Sequence, residues 1–298
     1  MKKKSVLICL TVACICLAAC GKKDTGNTQT TETTEAATVT TPETETAEAG
    51  TEEASTEEES SVQLDNGESA QYQVNIDMKD ASQDITNKDG AVMVKVTESF
   101  PEVTIDGSAA AADNINDYYA TEKKNFEALI EETKGSAEED YDQRSAEEQK
   151  NWNGYEMSTQ YSVARADDQC ISIVNDGFDY TGGAHPNSYR SAATFDTASG
   201  ERLSFEDIFT DVDKAKEFIT DYLLTEMKDE KYKGQFFEDY EKDVPSILDD
   251  NTWYLSKDGF MVICNEYNVS PHSSGIMEFT IPYADFPLLS DSYKPVVK

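Results

Sequence analysis

The sequence predicts an α+β protein of mostly antiparallel sheets and two main helices, arranged as two adjoining subdomains. Three observations lead there. Short runs alternate apolar and polar residues, as at Tyr72, Val74, Ile76 and Met78, the period-two pattern of a half-buried strand. Two longer stretches, Ala109 to Glu132 and Asp213 to Lys228, place apolar residues at helical spacing instead. The order along the chain is strands, helix, strands, helix, strands.

After the first strand, Val92, Val94 and Val96 mark a second. Pro101, in Ser99-Phe100-Pro101-Glu102-Val103, has no N–H for a ladder and marks an edge or a strand end. The first helix carries Ile115, Tyr118, Tyr119, Phe126, Leu129 and Ile130 on one stripe, and Gly135 stands just beyond it as a stop signal. The charged residues 136–150 read as loop or exposed helix. Tyr155 to Ala164 and Cys170 to Val174 form a hairpin, with Ser191 to Phe195 following. Asp196-Thr197-Ala198-Ser199-Gly200 is turn chemistry, and Ser204 can cap a short helical turn through Asp207. The second helix presents Phe218, Ile219, Tyr222 and Leu223. Residues 229–250 form a solvated acidic face with Tyr232, Phe236, Phe237 and Tyr240 turned inward. Trp253 to Leu255 and Phe260 to Cys264 pair around Lys257-Asp258-Gly259, a strong hairpin signal, and Ile276 to Ile281 closes the fold.

The first twenty residues read as an address. Lys2, Lys3 and Lys4 precede a short apolar run from Ser5 to Cys16, and Leu17-Ala18-Ala19-Cys20-Gly21 follows. The run is shorter than the roughly 18–20 residues that span a bilayer, so a transmembrane anchor is disfavoured. The pattern resembles a bacterial lipoprotein signal, which implies lipidation at Cys20 and a cell-membrane anchor on the extracytoplasmic face. Residues 21–70 are rich in Thr, Glu, Ala and Ser and hold no aromatic residue, the composition of a disordered tether. The folded part then divides into 71–195 and 196–298.

Charge narrows the partners. Of the 59 acidic and 25 basic residues, 46 and 20 lie after residue 70, leaving the folded part near −26. That argues against nucleic acid and favours a basic partner, cations or plain solubility. Only Cys170 and Cys264 remain in the folded part, both in apolar runs. Burial as small hydrophobes and a single disulfide are both open to them. The chain has no CxxC, no zinc-finger spacing, no calcium loop of the DxDxDG kind and no HExxH or GxSxG, so no cofactor or metal is expected.

The two histidines sit in two unusual loops. One is Tyr180-Thr181-Gly182-Gly183-Ala184-His185-Pro186-Asn187, where two glycines permit a sharp turn and Pro186 stiffens it. The other is Tyr267-Asn268-Val269-Ser270-Pro271-His272-Ser273-Ser274-Gly275. With Phe279-Thr280-Ile281-Pro282-Tyr283 after the second loop, these resemble a family of bacterial envelope domains. The family forms the extracellular part of RsiV-like anti-sigma factors, which sense lysozyme, and the N-terminal half of PdaC-like peptidoglycan deacetylases. The resemblance covers about 75–288 and implies two adjoining α+β subdomains exposed at the cell surface. It does not extend to the deacetylase's own metal-binding motifs.

Two functions follow. A non-catalytic domain would bind or sense an envelope ligand, a basic protein such as lysozyme or a cell-wall ligand, with Gly182, Gly183, His185, Pro186, Asn187, Tyr189, Tyr267, Pro271, His272 and Gly275 as contact candidates. An enzyme acting on cell-wall material would instead use His185 and His272 as acid/base groups, with a carboxylate from Asp176, Asp179 or Glu266.

Overall fold

The computed structural model describes residues 61–63 and 71–295. Cys20, the lipoprotein signal and nearly all of the tether lie outside the described residues.

The fold is α+β, with two sheets. Six strands form the first sheet in chain order: β1 (Ser61–Gln63), β2 (Gln73–Thr86), β3 (Val92–Asp106), β4 (Tyr155–Ala166), β5 (Cys170–Tyr180) and β6 (Asn187–Asp196). All neighbours pair antiparallel except β3 and β4, which are parallel because helix α1 (Ala109–Gln143) crosses between them. Pro101 lies within β3, but pairing with β4 ends at Ser99 and Gln160. From Pro101 onward β3 has a neighbour on one flank only, the edge setting that a residue without an N–H tolerates.

Helix α1 overruns its expected stop. Gly135 lies inside it, exposed, with open space where a Cβ would be. The helix continues because Ala137 and Tyr141 extend its apolar stripe onto Val94, Val96, Phe100 and Met157, and this packing outweighs the propensity penalty of one glycine. The 136–150 stretch is therefore mostly the end of α1, followed by the four-residue α2 (Ala146–Gln149) with a Ser145–Glu148 capping box.

The second sheet holds β7 (Trp253–Leu255), β8 (Gly259–Cys264) and β9 (Met277–Pro282), antiparallel throughout. Helix α3 (Val212–Glu226) covers it, capped by Asp211, with Ile219 and Leu223 buried and the Tyr222 hydroxyl donating to Thr280 O at 2.9 Å. Three short 3-10 turns occupy 230–247, and Tyr232, Phe236 and Tyr240 pack inward there as expected. Phe237 departs from that expectation and is exposed.

The two sheets are not independent bodies. Val174 and Ala192 of the first pack against Tyr254 and Ile263 of the second in one apolar cluster. Arg165, buried at the end of β4, donates to Asp167, Gln169, the Tyr283 hydroxyl and the Tyr293 carbonyl, at 2.7–3.0 Å. A guanidinium's fixed fork of donors suits such a junction. Cys170, from the first sheet, is buried in the same core cluster as Cys264. Both are free thiols, so no bridge joins them here. Burial pushes each thiol up to about 12, which keeps both protonated and inert at neutral pH.

Candidate functional site

The first histidine loop is the β5–β6 turn. Gly182 takes φ +83°, a left-handed angle that most side chains avoid. The Tyr180 hydroxyl donates to Gly183 O, and Asn187 Nδ2 donates to Asp179 Oδ2, closing the turn at its base. His185 stands exposed at the tip, with Nδ1 3.0 Å from Pro186 O. A carbonyl only accepts, so Nδ1 is the donor in this contact.

The second loop links β8 to β9. Gly275 turns it at φ +67°, and His272–Ser274 forms a 3-10 turn after Pro271. Tyr267 has φ +65°, the only positive φ of a non-glycine among the described residues. A tyrosine in that region carries backbone strain of about 1 kcal/mol. Its N–H donates to Ser270 O, and its side chain is 55% exposed.

The fold brings these loops together. The His185 and His272 rings stack with centroids 4.0 Å apart and planes 16° from parallel. The Tyr267 ring lies nearly parallel to His272 at 6.4 Å, and its hydroxyl stands 3.4 Å from His185 Nε2. Glu266 holds His272 from below, with Oε2 2.5 Å from Nδ1. That carboxylate is 8% exposed while the imidazole is 30% exposed. Of the three carboxylates considered from sequence, Glu266 alone meets an imidazole. Asp176 pairs with Arg190, and Asp179 with Asn187.

Residues that the sequence did not single out set this geometry. Asn265 clamps the backbone of Arg190, accepting its N–H at 2.7 Å and donating to its carbonyl at 2.8 Å. The Arg190 side chain bridges Asp176 of β5 and Glu278 of β9, and hydrogen bonding to Asp176 holds its guanidinium above its usual range. The Tyr254 hydroxyl also donates to Glu278, and burial pushes its ionisation far up. Phe237 approaches the second loop by donating its N–H to Val269 O. Tyr189 does not join the stack. Its ring covers Gly177, where a Cβ would sit 2.0 Å from the tyrosine Cζ.

The arrangement limits the chemistry. Imidazole lone pairs lie in the ring plane, and two nearly parallel planes 4.0 Å apart do not converge on one metal ion. Among the described residues, no group of three or more His, Cys, Asp or Glu is placed to hold a metal. What the site offers is a partly exposed set of π faces with one oriented imidazole.

A family model described as deacetylase PdaC matches residues 86–188, and a model described as a protein of unknown function, DUF3298, matches 206–284. No curated protein matches the chain. A solved DUF3298-family protein from Bacteroides fragilis shares the fold, with a TM-score of 0.57 and 22% identity over 75% of this chain and 96% of that one. Another, from Pseudomonas aeruginosa PAO1, aligns with a TM-score of 0.46 and 16% identity over 74% and 96%. The two matched segments follow one another along the chain, with His185 in the segment similar to PdaC and His272 in the segment similar to DUF3298.

Proposed function

We propose that this protein is a lipoprotein, anchored through Cys20 on the extracytoplasmic face of the membrane, whose folded part binds a basic protein of the envelope, such as lysozyme, without catalysing a reaction. The observation that carries this reading is the stacking of the chain's two histidines, 87 positions apart in sequence, into one exposed face with Tyr267. Rigid aromatic groups at a junction offer contact area at low entropic loss, and Tyr is favoured at binding hot spots for that reason. A net charge of −34 adds long-range attraction for a cationic partner. The test is titration of residues 71–298 with lysozyme at low and moderate salt, beside an unrelated protein of similar basic charge. Saturable binding that survives moderate salt, exceeds the control and weakens in His185→Ala and His272→Ala is expected. Binding no better than the control would sink the reading.

A second reading rests on the Glu266–His272 pair. A buried carboxylate orienting an imidazole is how general bases are commonly held. An enzyme acting on cell-wall material would lose turnover in Glu266→Gln and His272→Ala while its fold persists.

A further inference from the structure

We propose that the open face of the six-stranded sheet is a second binding site, which takes a neutral linear oligosaccharide. Strand register lays two rows of side chains across five strands. Ser82, Thr97, Ser158, Phe178 and Ser188 are successive cross-strand partners in one row. Asp80, Ser99, Gln160, Asp176 and Arg190 are partners in the next. Directly opposed residues share a face of the sheet, so each row lies on one side. The alternate residues Val96, Phe100, Met157 and Tyr161 point the other way, into the core beneath α1. The rows therefore occupy the face that α1 leaves bare.

Two furrows run along them, of about 570 and 380 Å³, and they meet at Gln160, which lines both. Ile276, from the second sheet's side of the molecule, walls the smaller one. A solvated sheet face with no ligand has no need of short side chains and is served as well by long charged ones. Here five of the ten positions are Ser or Thr, and these short side chains are what keep the furrows open. Of the three charged positions, Asp176 and Arg190 are paired at 2.7 Å, and Arg190 also pairs with Glu278 at 2.6 Å.

This surface selects its ligand by chemistry. Serine and threonine hydroxyls both donate and accept, as sugar hydroxyls do, and Gln160 adds an amide with both roles. Phe178, the fourth of five in its row, offers an apolar face for the C–H side of a sugar ring. The overall charge of −34 repels polyanions. Five strands at about 4.8 Å spacing span about 19 Å, the length of about four sugars at roughly 5 Å each.

The experiment is calorimetric titration of the whole protein with cellopentaose and with chitopentaose. Saturable binding of at least one is expected, weakening as the ligand is shortened to two sugars. Ser158→Arg, which fills the furrow where the two rows meet β4, should abolish it. Gln160→Ala should weaken it by about tenfold or more, since an unpaired sugar hydroxyl loses its partner. His185→Ala should leave it unchanged, which separates this site from the histidine face. Failure of both pentasaccharides to bind at about 5 mM, or binding indifferent to Gln160→Ala, would overturn the proposal. So would saturable binding of a neutral extended peptide with none of either sugar. If Ser158→Arg loses its far-ultraviolet circular dichroism, Gln160→Ala alone decides.

Discussion

Two of the places where the two halves of this molecule meet are built in opposite ways. At Arg165 the junction is buried: a guanidinium 2% exposed, four hydrogen bonds, and partners in the hairpin, at Tyr283 and at Tyr293. At the histidine face the junction is open: two stacked rings and one long contact of 3.4 Å between Tyr267 and His185. Polar groups that hold a fold are buried and fully paired, because leaving any one unmade is costly. Groups kept for a partner stay exposed and under-bonded. On the proposed binding function, the difference separates what assembles this protein from what it presents.

That contrast is sharpest in mutants. Arg165→Ala should have the largest effect, lowering stability by about 2–4 kcal/mol, since it removes a buried guanidinium and leaves the partly exposed Asp167 carboxylate and the Gln169, Tyr283 and Tyr293 oxygens without their donor. Chemical denaturation would check it, and a loss under about 1 kcal/mol would show that the buried junction is not what holds the halves together. Asn265→Ala comes next. It leaves the N–H and C=O of Arg190 unpaired, for an expected loss of about 1–3 kcal/mol and a weakened histidine stack. His185→Ala and His272→Ala should stay within about 0.5–1 kcal/mol of the parent, while binding of the basic partner falls.

The buried thiols give a pH test of the same core. Both cysteines titrate near 9 when free and near 12 when folded. The folded state therefore holds more protons between those values, and stability falls as pH rises above about 9. Below that pH the thiols contribute no slope. On residues 71–298, Ellman's reagent at pH 8 should find no fast-reacting thiol in the native state and two, Cys170 and Cys264, after denaturation.

Much of this was legible in the sequence, for reasons that also explain the gaps. Strands with one buried face announced themselves, and so did Asp258-Gly259, which turns β7 into β8. Strand β2 runs well past its sequence-based limit of Met78 because Lys79 to Gln83 are exposed and carry no alternation to detect, and β3 runs past Val96 because Pro101, a sign of a strand end, sits inside a ladder that continues through Val103 and Ile105. Both histidine loops were visible, and Glu266 was among the named carboxylates. Their meeting was not. It depends on single residues, Asn265 and Arg190, whose pairing across 75 positions leaves no periodic trace.

Tyr267 offers the finest test of the comparison. It is exposed, it takes a left-handed angle, and its ring and hydroxyl reach both histidines. A residue kept for the fold would not need that strain, since Asn adopts the same angle with less. Tyr267→Asn should therefore leave thermal stability unchanged or raise it by a few tenths of a kcal/mol to about 1 kcal/mol. Binding of the basic partner should fall in the same variant. The combination matters more than either half: gain or parity in stability with loss of binding marks a strained residue maintained for a ligand. A stability loss above about 1 kcal/mol would instead make Tyr267 part of the structural junction. The open and buried contacts between the two halves would then differ only in degree.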